Sequence, residues 1–501
     1  MYLTLLKVTA HLFGYNNLRA LSAFFALLNL ILVYFVSKKL GGTKGIALFT
    51  AFLFAFNCYS LIAGLQLDID GALMPFFVLL AYNAYLRLDD NKRLWGAILI
   101  IALIGGFLSK LSFVIFLSAL IIDYYFAHKN EPNFQFKRIL AFVGSGVGVA
   151  LFLSAVFYVI SPDRFHNIVS YAYVRAFGNF NFASRAYMDL IFKIVKSIVF
   201  LSPILALPVV YAACKPDFFK KYRLLFIYLA LSFLFYAVIF NFSTLTIEKY
   251  FMFMIAPAAI IAGEVLFPFL ISLKNKATYP FVMITAGLGT IAAKLIVSLP
   301  HDVLPLNPKI AYFEHFKHLD LKFLIPFTGG SGPIGFYFSA LFIFCFWAVV
   351  AVCLAGHYFR PHWQTWMRIA LIVGLIYNGF FVAEFLYGST YGSVPVIAKE
   401  SVDYINQNPS IHQVITYYDI APYDLRLSGK YFSRFYTAPT RDYTAKLTNF
   451  RGYYMVVDFP AIGKDTLYWH LLERCPIIKQ FDDKEIHSYI FDCHNLPVAK
   501  T

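Results

Sequence analysis

Charge is what this sequence has least of. Asp, Glu, Lys and Arg make up 14% of its 501 residues, and the acidic share is the smaller, 27 against 42 basic. Beside a 60% hydrophobic content and a mean hydropathy of +0.67, that scarcity excludes a soluble globular chain, because one core cannot hide so much apolar surface. Cysteine is scarce as well. The six cysteines are scattered with no CxxC or His/Cys spacing, which excludes a zinc-finger or disulfide-framework protein. Residues 1–17 lack the pattern of a secretory signal peptide. Charge in the middle of the apolar runs is rarer still, with Lys294, Glu264 and Glu384 the nearest cases, and no internal repeat is visible. Both absences weigh against a transporter, which is built from inverted repeats around midplane ionisable groups.

What is present is a series of twelve apolar segments, near 18–37, 45–63, 71–87, 95–110, 111–127, 139–160, 197–213, 224–242, 251–270, 280–299, 334–355 and 369–387. Each is long enough to cross roughly 30 Å of hydrocarbon as a helix, the one open-ended element that satisfies its own backbone in lipid. The expected fold class is therefore a polytopic α-helical membrane protein. The net charge of +15 invites a nucleic-acid partner, but its distribution says otherwise. Basic residues gather in alternate short loops, such as Lys38, Lys39 and Lys44, then Arg87, Lys92 and Arg93, then Lys215, Lys220, Lys221 and Arg223. That is the positive-inside pattern, and it orients the chain instead of binding nucleic acid.

With those loops in the cytoplasm, the loop holding Asp68 and Asp70, residues 161–196, 243–250 and 300–333, and the tail from Gly388 all face outward. Twelve spans ending outside must also begin outside, yet Tyr2–Phe13 is short and amphipathic, suited to lying along the membrane surface. The expected resolution is a thirteenth span ahead of Met1 in a longer form. The domain reading is 1–17 as an interfacial helix, 18–390 as the membrane domain and 391–501 as a small extracytoplasmic α/β domain. In that tail, Val396–Asn406 has helical spacing, Val414–Tyr418 and Tyr453–Phe459 read as buried strands, and Lys464–Arg474 reads as a helix. Ile477–Phe481 and Ile486–Phe491 suit a closing hairpin around Asp482-Asp483-Lys484, which would put Cys475 and Cys493 nearly opposite each other and permit a disulfide.

The carboxylates of Asp68 and Asp70, pinned between two spans, are the feature that asks for chemistry, since ionisable groups in a bilayer persist mainly where they line an aqueous site. Lys110 ends the fourth span on the same face. The aromatic and basic outer segment 161–196 carries Arg164, Tyr173, Arg175 and Arg185, and arginine forks suit phosphate oxygens; an interfacial belt meeting native lipid phosphates is the plainer reading of the segment as a whole.

Four stretches carry a resemblance. They are His11-Leu12-Phe13-Gly14-Tyr15 followed by Leu18-Arg19-Ala20-Leu21-Ser22; Asp70-Gly-Ala-Leu-Met-Pro-Phe-Phe; Gly105-Gly-Phe-Leu-Ser-Lys110; and Lys249-Tyr250 followed by Pro257. Tyr173-Val174-Arg175-Ala176-Phe177 adds a looser match. In order and outer location the set resembles the GT-C superfamily of lipid-linked-sugar glycosyltransferases, in the branch of dolichyl-phosphate-mannose protein mannosyltransferases and the aminoarabinose transferase of lipid A. The resemblance covers nearly the whole chain and implies thirteen spans with an outer C-terminal domain. It departs at one point: the family's catalytic acid sits in a first outer loop that would precede this sequence.

The resemblance implies transfer of a sugar from a polyprenyl-phosphate lipid to a hydroxyl on a lipid, protein or glycan acceptor, at the outer face of a bacterial inner membrane. A carboxylate would take the acceptor's proton while cations hold the departing phosphate. Asp70 and, less centrally, Asp68 are the candidate acids, with Asp70 either orienting cations or serving as base. Lys110, Arg175, Lys249 and Tyr250 are the candidate phosphate-binding residues. No cofactor is required, and no metal site is read from the sequence. The readings from other classes are a transporter or flippase of an amphiphile, and a non-catalytic polyprenyl-lipid-binding relative lacking the first acidic loop.

Overall fold

The computed structural model describes residues 2–67, 69–129, 154–176, 187–239, 248–273, 279–306, 309–327, 335–361, 364–418, 420–435, 449–459 and 461–496. Asp68 therefore lies outside the described residues, as does most of the segment 139–160 expected as a span. Among the described residues, eight helices are long and apolar enough to cross a membrane, and two bent helix pairs raise the number to ten. The protein is a multi-pass membrane protein with a small C-terminal β-sheet domain.

The N-terminal half begins with α1 (Tyr2–Phe13), which leaves Leu3, Leu12 and Phe13 exposed, and α2 (Arg19–Lys39). Next come α3 (Lys44–Ala55) and α4 (Cys58–Leu65), bent by 66° at Asn57, whose side chain caps α4 by accepting from Ser60 N. A π-helical turn, Ile69–Leu73, leads into α5 (Met74–Leu86). Helix α6 (Lys92–Ser109) then ends at Lys110, whose backbone is extended, and α7 (Val114–His128) follows after a single 3₁₀ turn. Arg223 Nε donates to Asp123 Oδ1 at 2.7 Å, and Lys39 Nζ donates to Asp90 at 2.7 Å.

The segment 161–196, expected as an outer loop, is largely helical where described: α8 (Pro162–Ala176) and α9 (Tyr187–Leu201). Its spaced polar and aromatic residues are those of amphipathic helices, not of irregular chain. The span expected over 197–213 is accordingly not one straight helix. Helix α9 meets α10 (Pro203–Ala213) at 103°, with Ser202 in the left-handed region (φ 83°) and Pro203 opening the second helix. Proline lacks the N–H that a continuous helix would need there.

After α11 (Pro216–Lys221), α12 (Arg223–Leu234) runs into a second π-helical turn, Phe235–Ile239. A 3₁₀ segment, Glu248–Met254, continues as α13 (Ile255–Ser272), the most buried of the eight long apolar helices among the described residues, followed by α14 (Tyr279–Val297). The segment 300–333 contributes a short α15 (Ile310–Lys317) and a buried strand, β1 (Leu324–Phe327), antiparallel to β2 (Phe336–Ser339); this pairing was not expected from the sequence. Helices α16 (Ala340–Phe359) and α17 (Gln364–Tyr387) complete the membrane part.

The C-terminal domain opens with α18 (Val394–Gln407). Its sheet has five strands: β3 (Val414–Tyr417), β4 (Tyr431–Phe435), β5 (Tyr453–Val457), β6 (Ile477–Asp483) and β7 (Ile486–Asp492). Their spatial order is β4-β3-β5-β7-β6, with β3 parallel to both neighbours and the β6–β7 hairpin antiparallel. The hairpin, β3, β5, and the helices at 394–407 and 467–472 stand where the sequence pattern puts them. Cys475 and Cys493 form a disulfide across the hairpin's open end. Strand β4 was missed, because Tyr431-Phe-Ser-Arg-Phe435 is a half-exposed edge with no clean alternation.

A latch joins this domain to the last span. The Glu384 carboxylate accepts from the Thr390 and Tyr391 N–H groups at 2.6 and 2.9 Å. From the hairpin turn, Lys484 Nζ donates to Ser389 O at 2.6 Å, and Asp483 Oδ2 accepts from Ser393 N at 2.8 Å.

The α3–α13 contact depends on Gly263, where an added Cβ would lie 1.9 Å from Thr50 Oγ1. Gly263→Val should lower the thermal stability of the detergent-purified protein by about 1–3 kcal/mol, the usual cost of overpacking. Gly263→Ala should be milder and partly corrected by Thr50→Ala; unchanged melting for Gly263→Val would show that the two helices do not meet here.

Candidate functional site

The site begins at the π-helical turn Ile69–Leu73. A widened turn of this kind adds a residue to the helix and re-aims a side chain, and it recurs at functional sites. Here it carries Asp70, only 7% exposed. The turn fits because residue 71 is glycine: a Cβ there would sit 2.8 Å from Ala63 Cα and 2.9 Å from Met252 Sδ, so α4 and the 3₁₀ segment both close on bare backbone. Asn29 Nδ2 on α2 donates to Ala72 O at 2.8 Å and fixes the turn from the other side.

Lys110 reaches this carboxylate from the break between α6 and α7. Its ammonium donates to Asp70 Oδ1, forming an ion pair between residues 40 positions apart. The extended backbone at Lys110 separates the two helices, so the side chain leaves the helical ladder at the point where the chain reverses. The Lys110 Nζ also lies 4.6 Å from the Tyr250 ring centre, a cation–π distance. Lys249 Nζ lies 5.7 Å from the same ring. Thus Asp70, Lys110, Lys249 and Tyr250, read separately from the sequence, are brought together by three different parts of the chain.

Of the two remaining sequence candidates, Asp68 is outside the described residues. Arg175 falls on the last turn of α8, and its side chain is likewise outside them. The sequence did not single out the aromatic backing of the site. Tyr236, in the second π-helical turn, lies tilted against Tyr250 with ring centres 6.3 Å apart and shares a side-chain hydrogen bond with Ser112. Ser112 in turn contacts Met74 Sδ at 3.6 Å. In an apolar run of Phe and Tyr, nothing in the sequence marks which tyrosine faces the site. Chemically, the arrangement presents an ammonium and a second cation around a tyrosine, with one carboxylate holding the first in place.

Beside the turn, a cleft of about 840 Å³ opens between the start of α2 and the C-terminal domain. Leu67, Arg19, Lys399, Asp403 and Asp424 are among the residues that line it. Tyr423 of α19 (Pro422–Leu427) crosses it, its hydroxyl donating to Tyr15 O at 2.9 Å.

Comparison with known proteins agrees with this architecture. Residues 1–158 match the family described as dolichyl-phosphate-mannose-protein mannosyltransferase. The whole chain aligns with the crystal structure of ArnT from Cupriavidus metallidurans bound to undecaprenyl phosphate, at 14% identity and a TM-score of 0.53, covering 88% of that protein. ArnT in the apo state gives 15% identity, a TM-score of 0.52 and the same coverage. The fold is that of these ArnT structures. No curated protein sequence matches the chain. Within this fold, the site stands beside the cleft that the start of α2 shares with the C-terminal domain.

Removing one partner of a buried ion pair strands the other charge, at about 3–5 kcal/mol when burial is complete. Lys110 keeps 25% side-chain exposure, so Lys110→Met should fall at the lower end of that range in detergent unfolding. Asp70→Asn/Lys110→Met should recover more than half of the loss; strictly additive costs would show that the two groups do not interact.

Proposed function

We propose that the chain is an integral-membrane glycosyltransferase that moves a sugar from a polyprenyl-phosphate donor to a hydroxyl of a lipid, protein or glycan acceptor. The observation that carries this reading is the Lys110 ammonium, held by Asp70 and set against Tyr250, at a helix break inside a GT-C fold. A phosphate on a lipid tail needs a fixed cation beside an apolar path, and this is such a place. The similar ArnT structure holds undecaprenyl phosphate, which supports the same class of lipid here.

In the reaction, the bond from the sugar's anomeric carbon to the phosphate oxygen breaks and a bond to the acceptor oxygen forms. The acceptor's proton passes to a carboxylate, Asp70 or Asp68, and the phosphate leaves with the bonding electrons. Lys110 compensates that developing charge, with Lys249, Arg175 and the Tyr250 hydroxyl as further donors. Asp70 holds Lys110 in position before the donor arrives. The cleft lined by Leu67 and Arg19 is the acceptor's approach. In this reading α1 lies along the membrane surface, and residues 391–501 lie outside a bacterial inner membrane.

Lys110→Ala should weaken undecaprenyl-phosphate binding, followed by native mass spectrometry, at least tenfold. Asp70→Asn should lower sugar transfer from an undecaprenyl-phosphate sugar by about 10²-fold, the usual scale for a lost acid–base group. Lys92→Ala, on the opposite side, should change neither. If binding ignores Lys110 and Arg175, the transporter reading replaces this one. Binding that needs Lys110 without any transfer indicates the non-catalytic lipid-binding relative.

A further inference from the structure

A second set of chemistry-bearing side chains lies away from this site, in the segment between α14 and α16. Among the described residues, Asp302, His315 and Asp320 form one group whose ligand atoms all fall within 4.8 Å of one another. They come from three places in the chain. Asp302 sits on an isolated parallel bridge to Phe323, its N–H donating to Lys322 O at 2.8 Å and its carbonyl accepting from Leu324 N at 3.0 Å. His315 is on the last turn of α15, with its ring 5.4 Å from Phe323. Asp320 ends the turn after α15; its N–H donates to His315 O at 2.9 Å, and its Oδ1 accepts from Lys322 N at 3.1 Å.

The geometry of the imidazole is the informative part. His315 Nδ1 is buried and lies 3.0 Å from Asp320 Oδ2, yet it makes no hydrogen bond. A simple His–Asp pair would align its N–H with the carboxylate. A ring nitrogen and a carboxylate oxygen side by side, with no N–H aimed from one to the other, is how a shared cation arranges its ligands. Zinc bonds of about 2.0–2.2 Å set neighbouring ligand atoms roughly 3.3 Å apart in a tetrahedron. The His315–Asp320 spacing already fits. Asp302 is exposed, so its side chain can rotate the remaining distance without disturbing the core.

We propose that Asp302, His315 and Asp320 bind a first-row divalent cation, with zinc the best fit. The imidazole selects against calcium and magnesium, which prefer all-oxygen shells. Two carboxylates balance the ion's charge, and three protein ligands leave a position for water. The ion ties α15 to the strand leading into β1, whose partner β2 packs under the C-terminal domain through Tyr337 and Phe459, ring centres 4.3 Å apart. Its role is to brace the segment on which that domain rests, independently of sugar transfer.

The test uses the full chain, purified in detergent, stripped with EDTA and dialysed against zinc chloride. Metal content is read by mass spectrometry and affinity by competition with a chromogenic chelator. The native chain should bind one more zinc than His315→Ala, and Asp320→Asn and Asp302→Asn should each weaken that zinc at least tenfold. Asp302→Asn, at an exposed position, keeps the test sound should the others misfold. His318→Ala, beside the site with 70% of its side chain exposed, should bind like the native chain. Equal zinc content and affinity in the native, His315→Ala and Asp302→Asn proteins would overturn the proposal.

Discussion

A single ion pair inside the membrane domain organises this molecule. Charge among lipid-facing helices is costly unless it is partnered, and among 501 residues with 27 acids the chain spends few of them there. Asp70 and Lys110 meet only because three local features coincide. The π-helical turn turns Asp70 inward, Gly71 lets α4 and the segment before α13 close on it, and the extended break at Lys110 releases its side chain toward the same point. Tyr250 then covers the ammonium. The turn and Gly71 open the span Ile69–Leu86 and Lys110 joins two others, and irregular backbone at such depth is tolerated only where it is buried in protein or lines a site.

Much of this was legible in the residues. Segments such as 18–37 and 369–387 announce themselves by apolar length alone, and most of the C-terminal sheet follows from alternation and turn chemistry, as with Ile477–Phe481 and Ile486–Phe491 around their acidic turn. Asp70 and Lys110 stood out because charged groups at span ends need a reason, whereas Lys249 and Tyr250 were marked only by the family resemblance. What could not be read was direction. The 103° bend at Ser202-Pro203 looks in sequence like one span, since hydropathy counts residues without their angle. The β1–β2 pair hid in a segment of mixed polarity, and Tyr236 is one of 35 tyrosines, with nothing in its neighbours to mark it. The Asp302–His315–Asp320 group was invisible for the same reason: the three are brought together by a bridge and a turn, not by a metal-ligand spacing.

The C-terminal domain is held to the last span by charge-assisted hydrogen bonds instead of a flexible linker. Glu384 gathers the Ser389 hydroxyl and the backbone of residues 390 and 391, and the β6–β7 turn holds Ser389 through Lys484 and Ser393 through Asp483. Charged partners make such bonds roughly twice as strong as neutral ones. The result is a sheet fixed above the helices at one edge while Tyr423 touches the N-terminal segment at the other. A cleft with charged walls between those two anchors opens next to Leu67, three residues from Asp70.

The most direct measurement is a cryo-electron-microscopy structure of the full chain with undecaprenyl phosphate bound in a lipid nanodisc. The account predicts phosphate density within hydrogen-bonding distance of Lys110 Nζ and against the Tyr250 side chain, with the prenyl tail running out between the spans. Phosphate density away from Lys110, with the Asp70–Lys110 pair intact and solvent-filled around it, would contradict the account.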